Sequence, residues 1–144
     1  MLDIKFKIEG VTELHRRLLV EVKNISDLST PLRKSGKLVL ADVQENFRSE
    51  GGLVGGWEPL AESTVRQRGG AAHPILVRTG SYKNSFTQHV TKKKTRVYSF
   101  APYHVYHQSK APRKGSLPRR RTLAIIELTR QNIVEEFNNY LRFS

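Results

Sequence analysis

Cysteine is absent from this chain of 144 residues. That excludes disulfides, thiolate-ligated zinc, iron–sulfur clusters and thiol catalysis. It leaves the compartment open, except that nothing here relies on an oxidising one. Long apolar runs are missing as well: the longest is about four residues, far short of the roughly 20 needed to span a bilayer. The opening Met1-Leu2-Asp3-Ile4-Lys5-Phe6 has no cationic stretch leading into an apolar one, so no secretory signal is expected. The expectation is a soluble protein with no membrane partner. Acidic residues fail over a long middle stretch. Residues 66–121 hold no Asp or Glu, yet fourteen Lys or Arg. Hydrophobic residues make up 38%, against roughly 45–50% in typical domains by a count that also includes glycine, so the gap is small and a modest core is expected.

Catalytic fingerprints are lacking too. There is no Gly-x-Ser-x-Gly elbow and no Gly-rich phosphate loop ending in Lys-Ser or Lys-Thr. The glycine pairs at 51–52, 55–56 and 69–70 match neither pattern. Glu58 and Glu62 stand one helical turn apart, but glycosidase chemistry needs two carboxylates flanking a cleft, so both read as surface groups. His104 and His107, three residues apart, can share a helix face as metal ligands do, with His73 and His89 elsewhere. No Asp or Glu lies between residues 63 and 126 to complete such a site or orient a ring nitrogen. No catalytic residue, metal or other cofactor is expected, and the chain reads as a non-enzyme.

What is present is one domain, residues 1–144, in which runs of helix stand beside runs of strand. Ile4, Phe6 and Ile8 alternate with Lys5, Lys7 and Glu9, the pattern of a half-buried strand over 2–9. Thr12 is placed to cap a helix over 12–26, whose stripe is Leu14, Leu18, Val22 and Ile25. Pro31 opens a second helix over 31–49, with Leu32, Val39, Val43 and Phe47 as its stripe and Gly36 inside it. Residues 61–68 fit a short helix, Ile75-Leu76-Val77 an extended piece, and 81–85 one helical turn. Strands over 86–91 and 95–100 flank a Lys92-Lys93-Lys94 turn. Pro102 opens a short helix through Gln108. Residues 109–121 have almost nothing to bury. A strand over 122–126 and a helix over 130–142, capped by Thr129, end the chain. The fold class expected is α+β, with helices packed on one face of a small antiparallel sheet and long mobile basic loops near 50–56, 66–74 and 109–121.

The net charge of +12 arises entirely in the acid-free middle, because residues 1–65 carry nine bases against ten acids and 122–144 carry two against three. Such a block points to an anionic partner. Its candidate contacts are Lys92, Lys93, Lys94 and Arg96 on the hairpin, and Arg113, Lys114, Arg119 and Arg121 around the later loop. Tyr98, Phe100, Tyr103 and Tyr106 interleave with them, which suits stacking on exposed bases. Aromatics in a strand are more often core or interface anchors, and the charge suits an acidic protein surface equally well. A basic nucleic-acid-binding module is therefore one reading of the chain.

A series of short motifs supplies another. Phe47 ends a helix before glycines. Gly56-Trp57-Glu58-Pro59-Leu60 follows, then Ser63-Thr64-Val65 with Arg68. Next come Ile75-Leu76-Val77, Thr79-Gly80 and Ser85, then Tyr103, His107 and Gln108, and last Pro118, Arg120 and Leu123 ahead of a C-terminal helix. In this order and spacing, over about half of the chain, the sequence resembles the phage virion morphogenesis family, the Mu-like tail completion or neck proteins. It departs from the family at Tyr82, where leucine is usual, at His104, where a small residue is usual, and at Ser109, where glycine is common. Extra arginine surrounds its Pro-x-Arg.

The resemblance implies a structural building block for tail completion or head–tail joining. Its partners would be other virion proteins, at the head connector or the tail end, and further copies of itself in a ring. DNA crossing the neck is a further contact for the basic region. It would reside in the host cytoplasm during assembly and then in the virion. Trp57, Pro59 and Leu60 would anchor the glycine-rich loop, and Thr79 and Gly80 would make the tight turn before a short helix. Tyr103, His107 and Gln108 would fix the segment after the hairpin, with Pro118 and Arg120 completing the set.

Overall fold

Two amphipathic stripes lead the chain, and each becomes a helix. A computed structural model describes residues 11–109 and 117–142. The expected strand over 2–9 lies outside the described residues, as do Arg113 and Lys114. Helix α1 spans Val11–Ser26, so Thr12 sits within its first turn rather than in front of it. Helix α2 spans Ser29–Arg48. Pro31 is its third residue, not its first. The missing N–H is harmless there too, because the first four amides of a helix have no partner within it. The first regular bond runs from the Leu32 amide to the Leu28 carbonyl at 3.0 Å.

At the far end of α2 the chain reverses sharply. The Gly51 amide donates to the Asn46 carbonyl at 2.8 Å, with Gly51 at φ +88°. A side chain at Gly51 would be strained by that angle and would overlap the Trp57 indole. Residues 52–54 make one 3-10 turn, and the Trp57 amide closes the loop onto the Glu50 carbonyl at 2.8 Å. Helix α3 is Glu62–Gln67.

Residues 75–77 are not extended. Ile75 and Leu76 form a turn, with Leu76 at φ +60°. The reason is local. The Ile75 amide donates to Glu50 Oε1 at 2.7 Å, and the Ile75 side chain is buried in the core, so the chain must bend over the end of α2.

Strands β1 (Phe86–Val90) and β2 (Thr95–Ser99) form a two-stranded antiparallel sheet, with Phe86 opposite Ser99 and Val90 opposite Thr95. Their turn closes without Asn-Gly. The Thr91 amide donates to the Lys94 carbonyl at 2.8 Å, and the Thr91 hydroxyl accepts from the Lys94 amide at 3.1 Å. Helix α4 is His104–Gln108, with Pro102 in the preceding turn rather than at its start. Helix α5 spans Glu127–Leu141.

The expected strand over 122–126 does not form among the described residues. Its first backbone groups are taken by side chains instead of a ladder, as described below. Thr129 is not a cap either. It lies inside α5, buried, and its hydroxyl donates to Asp42 Oδ1 on α2 at 2.9 Å.

The result is a small α+β domain with helices packed against a two-stranded antiparallel sheet. Helix α2 is the central element, touching both strands and α5. The C-terminal half of its stripe is buried: Val43 is 0% exposed and Phe47 is 2% exposed, in a core with Trp57, Ile75 and Tyr82. Phe47 meets Trp57, Tyr82 and Phe86 edge-on at 5.3, 5.4 and 5.8 Å. Such pairs each contribute about 0.5–1.5 kcal/mol beyond area burial. An apolar groove of about 280 Å³ lies between α2, β2, α5 and residues 123–125, with Leu32, Val97 and Phe137 among its walls.

Candidate functional site

Aromatic packing brings Trp57 against Phe47, and the indole N–H then needs an acceptor. It donates to the Arg121 carbonyl at 3.0 Å. Asn46, one turn from Val43 on the same face of α2, donates to the Arg121 and Thr122 carbonyls at 2.9 and 3.1 Å. From α4, Gln108 completes the grip. Its amide nitrogen donates to the Leu123 carbonyl at 2.6 Å, and its oxygen accepts from the Thr122 and Leu123 amides at 3.1 Å each. These contacts leave residues 121–123 little need of a neighbouring strand.

Arg120 lies in this same segment and is only 4% exposed. Residues 117–121 therefore do bury something, contrary to the expectation from composition. The Arg120 guanidinium donates to the Glu58 and Pro59 carbonyls, both at 2.8 Å. It stitches the Trp57 loop to the segment before α5. Burial pulls the guanidinium below its ordinary pKa, opposed by the Glu58 charge. Arg119 donates to the Gln108 carbonyl at 3.0 Å.

Tyr82 and the histidines form the third part. The Tyr82 hydroxyl lies 2.8 Å from His104 Nδ1 and 3.0 Å from Thr122 Oγ1. Burial pushes the Tyr82 phenol up to about 12, partly opposed by the Thr122 hydrogen bond. Burial holds the His104 imidazole below its ordinary value. A neutral phenol and a neutral imidazole thus bond without charge. His107 is buried, with its ring centroid 5.4 Å from that of Tyr82, and Tyr103 covers Tyr82 edge-on at 5.2 Å. Both histidines therefore pack on an aromatic ring. Among the described residues no three His, Cys, Asp or Glu side chains gather as a metal ion would require. Among these residues, too, no helix is long and apolar enough to cross a membrane.

The structure thus brings Trp57, Gln108, Arg120 and His107 into one clasp. Pro59 joins through its carbonyl, Leu60 by packing on the core, and Tyr103 through Tyr82. Pro118 lies half-buried in the segment that carries Arg120. Thr79 and Gly80 belong to a separate turn. The Thr79 hydroxyl accepts from the Ser81 amide at 3.3 Å, and Gly80 sits at φ +81°. The basic positions divide as well. Lys92, Lys93, Lys94 and Arg96 are exposed on the hairpin, whereas Arg119 and Arg121 line a small pocket beside Trp57.

Sequence reasoning missed Asn46, Tyr82 and Thr122 as parts of the clasp, and Glu50, whose carboxylate holds the Ile75 amide beside the core. Asn46 was detectable, because it interrupts the apolar face three residues after Val43. Glu50 and Thr122 carried no signal, since their partners lie far away in the chain. No family model, curated protein or solved structure matches this chain.

Proposed function

We propose that this protein is a non-catalytic structural subunit of a bacteriophage particle, acting in tail completion or in joining the tail to the head. The observation that carries the reading is the state of α1. Its stripe of Leu14, Leu18, Val22 and Ile25 is regular, yet these side chains are 49–63% exposed. Little among the described residues covers this apolar helix face, and such a face suits burial against another molecule, as in assembly subunits. Leu19, beside this stripe, is exposed as well.

The clasp supports the same reading. Its polar side chains are spent on backbone carbonyls and amides of their own chain, which is the work of a scaffold. The motifs from Phe47 to Leu123 supply the phage context through their resemblance to virion morphogenesis proteins. In this reading the partners are the head connector or the tail end, together with further copies of the chain in a ring. The protein acts in the host cytoplasm and ends in the virion. Electron microscopy of particles assembled without the gene is the test. Filled heads beside detached tails are expected. Complete infectious particles would sink the proposal.

A further inference from the structure

The hairpin has two faces, and one is covered. Gln88 packs against Gly36 of α2, and Thr95 and Val97 line the apolar groove beside it. By the two-residue alternation of a strand, Arg96, Tyr98 and Phe100 turn the other way, and all three are exposed. Phe100 continues the ladder, its amide donating to the Ser85 carbonyl at 3.2 Å. A sheet with one wet face ordinarily carries polar residues there. Here the outward row carries two aromatic rings, and Phe100 is 69% exposed with no polar atom to hydrate.

Charge surrounds these rings. Register puts His89 opposite Arg96 and Thr87 opposite Tyr98. The Arg96 guanidinium lies 5.9 Å from the centre of the Tyr98 ring. Lys92, Lys93 and Lys94 close the hairpin at one end, and exposed Tyr103 follows Phe100 at the other. Residues 66–121 hold no acid, and Asp27, from the junction of α1 and α2, is the acid that reaches Lys92.

We propose that this outer face of the hairpin binds single-stranded nucleic acid. Its cations would meet the phosphates, and Tyr98 and Phe100 would stack on consecutive bases. Side chains two apart on a strand are separated by about 6.5 Å. That is comparable to the spacing of nucleotides in an extended strand. An acidic peptide fits less well, because an aromatic face is electron-rich and repels carboxylates. A duplex fits less well, because its base faces are already covered by their neighbours. The contact is independent of the virion reading, since a free protein and a particle subunit would present the same face.

Fluorescence anisotropy of labelled oligo(dT) 12-mer with the full chain tests it, with a duplex of the same length and polyglutamate as comparisons. Binding of the single strand is expected, with an affinity that falls as salt rises. Phe100→Ala should weaken it by roughly 5- to 150-fold, the range for loss of one stacked base. It should leave weak duplex binding unchanged. Phe100→Trp should restore affinity, with indole emission falling on binding. Lys93→Gln should lower the salt slope by about 0.7, as for one lost phosphate contact. Absence of binding at low salt would overturn the proposal, as would single-strand binding indifferent to Phe100→Ala. So would polyglutamate binding that Phe100→Ala weakens equally, which would mark an acidic protein as the partner. Melting curves of each variant separate these outcomes from loss of fold.

Discussion

Helices α1 and α2 are written in the same pattern and live in different surroundings. Both carry an apolar stripe at helical spacing, which α2 interrupts at Ser35 and Gly36. On α2 the later part of that stripe disappears into the core, with Val43 at 0% exposure, whereas on α1 Val22 stands 63% exposed. Periodicity thus states that a face prefers burial, and leaves open whether the chain itself supplies the cover. For α2 the cover comes from Trp57, Ile75, Tyr82 and the hairpin, all later in the chain. For α1 the described residues supply only a light contact with α5.

Substitutions can break or sharpen this contrast. Phe47→Ala should be the most damaging, because it removes the ring around which Trp57, Tyr82 and Phe86 are arranged. A loss of about 3–5 kcal/mol is expected in chemical denaturation. Arg120→Gln should follow. It withdraws a charged donor from the Glu58 and Pro59 carbonyls, and about 1.5–3 kcal/mol is expected. A loss below about 0.5 kcal/mol would mean that water replaces the guanidinium and that the clasp is not a unit.

Gly51→Ala should cost about 1–3 kcal/mol, because its φ of +88° strains any side chain and the Trp57 indole occupies the space. The next effect is one of pH. Burial depresses the His104 pKa, so the unfolded chain binds the proton more readily. Stability should therefore fall as the pH drops through the ordinary imidazole value of 6.5. His104→Gln should flatten that slope in melts taken on either side of it.

The smallest effect belongs to α1. Leu18→Ala should change the stability of the isolated protein by less than about 0.5 kcal/mol, as for other exposed positions. Under the proposed role, incorporation into particles should nevertheless drop. A destabilisation near that of Phe47→Ala would show α1 to be buried in the free chain, and the contrast between the helices would vanish.

Local chemistry was enough for much of the fold. Both long helices, the hairpin and α5 were legible because stripes, alternation and flanking breakers act within a few residues. The α+β class followed from their order. The hairpin needed no Asn-Gly because Thr91 folds the turn with its own hydroxyl. Where local reading failed, distant partners intervened. Residues 122–126 look like a strand in isolation, but Gln108 and Asn46 hold their first backbone groups. Thr129 looks like a cap until Asp42 is placed beside it. Arg120 is one more cation by composition, set apart in the sequence only by the family resemblance, and two carbonyls surround it.

The sequence by itself determined the long helices, the hairpin and where the positive charge is concentrated. Only the tertiary structure decided which apolar faces are covered, which arginine is buried and which rings face water. Those outcomes depend on partners tens of residues away, whose position no local pattern encodes.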